Sequence, residues 1–143
     1  MEFITKSTQE THEAGAKLGR DLKTGKIKKR ILAFYGELGS GKTTFIQGLA
    51  KGLGIERRLI SPTFVFVRRY EKEKGFLYHV DLYRLKRASE ARGLDLPDFF
   101  ADQESFVLLE WADKIKEILP KERIDIFLEY LDEGRRKITI KGC

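Results

Sequence analysis

The stretch ILAFYGELGSGKTTF, Ile31 to Phe45, decides how the rest of the chain is read. Its first five residues are apolar without polar alternation, the pattern of a parallel strand covered on both faces. They run into Gly36-Glu37-Leu38-Gly39-Ser40-Gly41-Lys42-Thr43, which fits G-x-x-x-x-G-K-[ST] without departure. Past the loop, Phe45, Leu49 and Leu53 recur four apart, and Gly54 stands where a helix stops. Strand, glycine loop and helix in that order make the context of a phosphate site. Glycines there let backbone N–H groups turn inward around phosphates, where a side chain would block the approach and resist positive φ. The helix contributes about half a positive charge at its N-terminus. Gly36 through Thr44 are therefore candidate nucleotide-binding residues, with Lys42 reaching the terminal phosphates and the Thr43 hydroxyl on Mg²⁺. By average residue frequencies the pattern arises by chance in a chain this long at roughly a few per thousand, which disfavours an incidental glycine turn. A dinucleotide fingerprint G-x-G-x-x-G fails, because the residue three past Gly41 is Thr44. The chain has no asparagine, so it cannot carry the Asn-Lys-x-Asp loop with which guanine-specific GTPases read their base. ATP is the expected nucleotide.

Working outward, EFIT reads as a short first strand, and Ser7 with Glu10 has capping-box spacing ahead of a helix faced by Ala14, Leu18 and Leu22. FVFVRRY and FLYHVDL flank EKEKG, whose Gly75 suits a hairpin turn. RASEAR predicts a short helix, and GLDLPDFF an irregular or briefly helical segment. FVLLE is a second fully apolar strand ending in an acid, and ADKIKEIL predicts a helix stopped by Pro120. RIDIFLEYL, DEG and RRKITIK alternate like an antiparallel hairpin with one face exposed. The expected fold is a three-layer α/β domain of the P-loop NTPase type, with a mainly parallel central sheet and antiparallel edge strands. At 143 residues the chain has core enough for one domain, 1–143, and no repeat or linker divides it.

Composition narrows the class. Hydrophobic residues make up 41% and charged ones 35%, the balance of a soluble folded protein. No apolar run approaches a membrane span, and MEFITKSTQE lacks the basic start and apolar middle of a signal peptide, so a cytoplasmic protein with no membrane partner is expected. A lone cysteine, Cys143, and two histidines, His12 and His79, exclude an internal disulfide and a zinc-ligand cluster. The net charge of +6 is spread over KIKKR, ERR, RR, RLKR and GRRK. Such runs serve as solvated faces or as attraction for an anionic partner such as RNA.

Phosphoryl chemistry also needs a carboxylate near the metal and a group to orient the attacking water. Two acids end apolar strands, Asp81 in FLYHVD and Glu110 in FVLLE. Glu110, behind four apolar residues, is the first choice for the Mg²⁺ side, which leaves Asp81 for a metal-bound or attacking water. Either acid alone could be an ordinary strand-end carboxylate. His79 alternates with Asp81 and reads as structural. Ser61-Pro62-Thr63 lies between the loop helix and the next strand, where small NTPases keep a hydroxyl that senses the γ-phosphate, although Ser and Pro also mark turns generally.

Taken together and in order, GELGSGKTTFIQGLAKGLG, SPTFVFVRRY, YHVDLYRL and LLEW resemble the bacterial TsaE family of tRNA threonylcarbamoyladenosine biosynthesis ATPases over nearly the whole chain. The resemblance implies an ATPase that works with a threonylcarbamoyl transferase and its non-catalytic paralogue. Those partners move threonylcarbamoyl onto the adenosine beside the tRNA anticodon, and tRNA is met through the complex. It further implies Lys42 and Thr43 on phosphate and Mg²⁺, Glu110 as the metal-side acid, and Thr63 and Asp81 as switch and water-orienting residues. Trp111 matches the family's aromatic at the site edge, where core packing is the alternative. Thr8 and Arg135 fall where the family places residues near the nucleotide, against simple capping and surface charge. GLDLPDFF departs from the family's usual glycine and acidic-aromatic stretch. Slow Mg²⁺-dependent hydrolysis follows as the expected activity. The alternatives are a nucleotide-gated binding subunit in which hydrolysis only resets the complex, and a small-molecule kinase using RLKRASEAR as its lid.

Overall fold

The computed structural model describes residues 1–37, 39–59 and 66–143. Strand β1 (Glu2–Thr5) leads into helix α1 (Thr8–Lys23) through Ser7, whose hydroxyl accepts the Glu10 N–H at 3.1 Å. The Glu10 carboxylate reaches back to the Lys6 N–H at 2.9 Å, so the predicted cap forms reciprocally. β2 (Ile31–Tyr35) enters the glycine loop, and α2 (Lys42–Gly52) leaves it. β3 (Val67–Glu71) and β4 (Phe76–Asp81) pair antiparallel around Gly75, as the turn residue predicts. Short helical turns over Ala88–Leu94 precede α3 (Leu96–Ala101), whose Pro97 sits in the first turn, where its missing N–H costs nothing. β5 (Phe106–Glu110) follows, and β6 (Ile124–Tyr130) with β7 (Arg136–Lys141) closes the chain as the expected hairpin.

ADKIKEIL differs from expectation. It forms 3-10 turns over Ala112–Ile118 with a break at Ile115, φ −126°, in place of a regular helix. The break accompanies full burial of Ile115, while the Lys114 amine donates to the carbonyls of Tyr83 and Leu85. Tertiary contacts on both sides of so short a segment outweigh its helical propensity.

The sheet has seven strands in the order β1-β7-β6-β2-β5-β4-β3. The central four, β6, β2, β5 and β4, run parallel, and β1, β7 and β3 pair antiparallel at the two sides. ILAFY thus lies at the middle, and its alternate residues serve two cores. Leu32 and Phe34 pack beneath α1 and α2 with Phe45, Leu49 and Leu108. Ile31 and Ala33 face the opposite layer, with Val107, Leu96 and Ile115.

Helices α1 and α2 touch backbone to backbone. A Cβ on Gly15 would stand 2.1 Å from the Phe45 carbonyl oxygen, and one on Gly48 would stand 2.0 Å from that of His12. Gly19 and Gly52 repeat the contact one turn along. Glycines spaced four apart on both helices make this approach possible. It fixes the α1 N-terminus beside the start of α2.

Candidate active site

Parallel register brings the strand-end acids together. Asp81 pairs with Glu110 across β4 and β5, and Glu110 pairs with Phe34 across β5 and β2. All three strands therefore end at one edge, where ligands of parallel sheets bind. Leu77, Leu108 and Phe34 all lie in the core under α2, so by alternation Asp81, His79 and Glu110 also face the α2 side. A cleft of about 440 Å³ opens there, bounded by Lys42, Thr43, Thr44, Asp81, Glu110, Trp111 and Arg136.

The glycine loop makes the cleft's wall. Gly36 and Gly41 have φ of 149° and 97°, backbone that side chains rarely adopt, and a Cβ on Gly36 would meet the Leu128 carbonyl oxygen at 2.6 Å. Gly41 caps α2 without a side chain, leaving the helix N-terminus to the cleft. Glu37, Gly39 and Thr43 are exposed, Thr44 is half-buried, and Leu38 lies outside the described residues. Ser40 is buried, and its hydroxyl has no hydrogen-bond partner among the described residues.

Lys42 is the unusual charge. Its side chain is buried, yet its Nζ has no hydrogen-bond partner among the described residues and rests 4.2 Å from the Trp111 ring centroid. Burial pulls its amine below the ordinary lysine value, while the carboxylates of Glu110, Asp81 and Asp113 oppose that shift. Trp111 holds its ring there from a left-handed backbone, φ 60°, a conformation that carries strain in a bulky residue. Tyr83 leans on the same ring at 5.1 Å.

The two acids differ. Burial pushes the Asp81 carboxyl up, the Tyr83 N–H bond at 3.0 Å pulls it down, and Glu110 raises it further. Glu110 is 8% exposed, and its Oε2 lies 2.6 Å from His79 Nε2. Thr63 lies outside the described residues. Thr8 borders a smaller recess with Ser7, Gly41, Thr44 and Gly134, next to the main cleft. Arg135 is bound to Asp132 at 2.7 Å in the β6–β7 turn, and it is the next residue, Arg136, that lies against Gly41.

These residues suit a phosphate and a hard cation. A buried amine without a hydrogen-bond partner among the described residues and positive-φ glycines at a helix N-terminus fit an anion, and the oxygens of Thr43, Asp81 and Glu110 fit Mg²⁺ better than a soft metal. The family model described as "Threonylcarbamoyl adenosine biosynthesis protein TsaE" matches residues 5–138. The chain belongs to the TsaE family.

Curated TsaE relatives agree along most of their length. The Bacillus subtilis protein is 44% identical over 109 residues, covering 76% of this chain and 67% of its own. The Treponema pallidum protein is 35% identical over an alignment of 147 residues, covering 98% and 99%. Both carry the name tRNA threonylcarbamoyladenosine biosynthesis protein TsaE. The crystal structure of Bacillus subtilis YdiB superposes with a TM-score of 0.74 at 35% identity, over 98% of this chain and 83% of that one.

Two cleft residues of this TsaE chain were not among the sequence candidates. Arg136 carried a signal. Ile138 and Ile140 alternate into the α1–α2 core, so Arg136 shares their face and its neighbour Arg135 does not. Tyr83 carried none, since an exposed tyrosine after Asp81-Leu82 has no pattern of its own.

Proposed function

We propose that this TsaE-family protein is a Mg²⁺-dependent ATPase of the P-loop NTPase type that binds ATP in the cleft beside Lys42. Slow hydrolysis there supports threonylcarbamoyl transfer to the adenosine next to the tRNA anticodon. The transferase and its non-catalytic paralogue are its partners in this cytoplasmic reaction, and tRNA is met through them. The observation that carries the reading is the buried Lys42 amine, which has no hydrogen-bond acceptor among the described residues.

In this reading the loop amides and the α2 N-terminus hold phosphate oxygens, and Lys42 finds its acceptor in a phosphate. Thr43 and Glu110 would hold Mg²⁺, which when bound neutralises charge on the phosphate oxygens. Asp81 accepts a hydrogen bond from the attacking water and orients it, and the Thr63 hydroxyl serves as the switch. Trp111 shields the Lys42 side from solvent and so strengthens the charge interactions inside. Thr8 and the β6–β7 turn border the remainder of the nucleotide.

Slow turnover follows from the arginine that lines the cleft. The Nη1 of Arg136 donates to the carbonyls of Asp132 and Arg135, which tethers the guanidinium to the β6–β7 turn, while its buried Nε has no hydrogen-bond partner among the described residues and is left to the nucleotide. An arginine supplied from outside raises such reactions by about 10³ to 10⁵ fold. The test is calorimetry of ATP on the wild type and Lys42→Ala, followed by ATPase assay alone and with partners recovered by pull-down. Unchanged affinity in the variant, or full-speed turnover indifferent to partners, would overturn the reading.

A further inference from the structure

His79 makes a buried polar contact with Glu110 beside the cleft, and the proposed chemistry gives the histidine no role. His79 is 3% exposed, and its Nε2 lies 2.6 Å from Glu110 Oε2. The other ring nitrogen, Nδ1, is buried without a hydrogen-bond partner among the described residues. Two lone pairs cannot meet at 2.6 Å, so a proton lies between the two atoms, and against an ionised Glu110 it is Nε2 that donates. A buried N–H without an acceptor is rarer than an under-used acceptor, which leaves Nδ1 as the bare lone pair.

The placement follows from register. His79 pairs with Leu108 and Asp81 with Glu110, so the imidazole lies one pair deeper in the same face and reaches the Glu110 carboxylate from the core side. Glu110 thus has one oxygen engaged from below and one left for the cleft.

We infer that His79 is a positioning residue, which fixes the Glu110 carboxylate so that its second oxygen is presented to a divalent cation. The inference rests on the ATPase reading above. Groups that orient a metal ligand in this way change metal affinity or activity by about 10 to 100 fold when removed.

The experiment compares wild type, His79→Leu and His79→Gln, the last of which keeps an N–H donor near the place of Nε2. ATP affinity is measured by calorimetry in EDTA, Mn²⁺ affinity of the ATP-loaded protein by electron paramagnetic resonance, and kcat against KM separately. Expected are ATP affinities in EDTA within about threefold of each other, Mn²⁺ binding weakened about 10 to 100 fold in His79→Leu, and recovery to within about threefold in His79→Gln. In His79→Leu, kcat at a fixed low Mg²⁺ concentration falls while KM holds. Equal Mn²⁺ affinity in all three proteins overturns the inference. So does an equal loss in Leu and Gln, or a parallel loss of ATP affinity in EDTA, since those are the marks of packing alone. Absence of ATP binding by the wild type brings down the ATPase reading instead, and the inference with it.

Discussion

Lys42 and Trp111 face each other across the mouth of the cleft, amine to ring centroid 4.2 Å, with the tryptophan held in a left-handed backbone to do so. The ring gives the ammonium a weak electrostatic partner where no acceptor stands among the described residues, which leaves the amine available to an anion.

Lys42→Met keeps the buried stem and removes the charge. ATP affinity should fall by about 10 to 100 fold, the worth of a hydrogen bond to a charged group. The melting temperature without nucleotide should hold or rise, because a desolvated cation is gone. The sign in pH follows from the lowered folded-state value. Between that value and the ordinary 10.5, the unfolded chain binds the proton and the folded one does not, so wild-type stability rises with pH. The advantage of Lys42→Met should therefore shrink as pH rises through that window, which melting curves in alkaline buffers will measure.

Asp81→Asn should cut hydrolysis by about 10² to 10⁴ fold with ATP affinity within about threefold of wild type. Because the folded carboxyl is raised above 3.8, its ionised form costs stability at neutral pH. Asp81→Asn should then melt higher than wild type at pH 7, and the gain should vanish as pH falls through the raised value toward 3.8. If the variant binds partners and still supports one round of tRNA modification, nucleotide gates the complex and hydrolysis only resets it.

Gly48→Ala places a methyl group against the His12 carbonyl oxygen at 2.0 Å, in a contact made of backbone on both sides. Destabilisation of about 2 to 3 kcal/mol is expected by urea titration. Gly93→Ala is the control, since nothing lies within 4 Å of its Cβ position, and it should change stability by no more than about 0.5 kcal/mol.

Arg136→Ala should weaken ATP by about tenfold, since its side chain lies 3.4 Å from the Cβ position of Gly41 and lines the cleft. Arg135→Ala, which removes an exposed pair with Asp132, should leave affinity within about twofold. Equal losses in the two variants would mean that the turn as a whole, and not the face of β7, sets the contact.

Much of the fold can be read from local pattern. ILAFY and FVLLE announce buried strands because every residue is apolar, Ser7 and Glu10 announce a cap, and RIDIFLEYL with RRKITIK announces a half-exposed hairpin. Each of these signals is complete within a few residues. The segment after Trp111 misleads for the opposite reason, since Ile115 and Lys114 answer to contacts with distant chain.

The glycine loop, its lysine and threonine, and the two strand-end acids are legible as site candidates in the sequence alone, because phosphate chemistry needs those residue types at fixed spacing. Tertiary structure alone decided that Asp81 and Glu110 are neighbours, that His79 reaches Glu110 from the core, and that Trp111 covers Lys42. The reason is physical. Spacing along the chain sets what one loop can do, whereas contacts between strands depend on register and helix crossing, which arise only when distant segments pack.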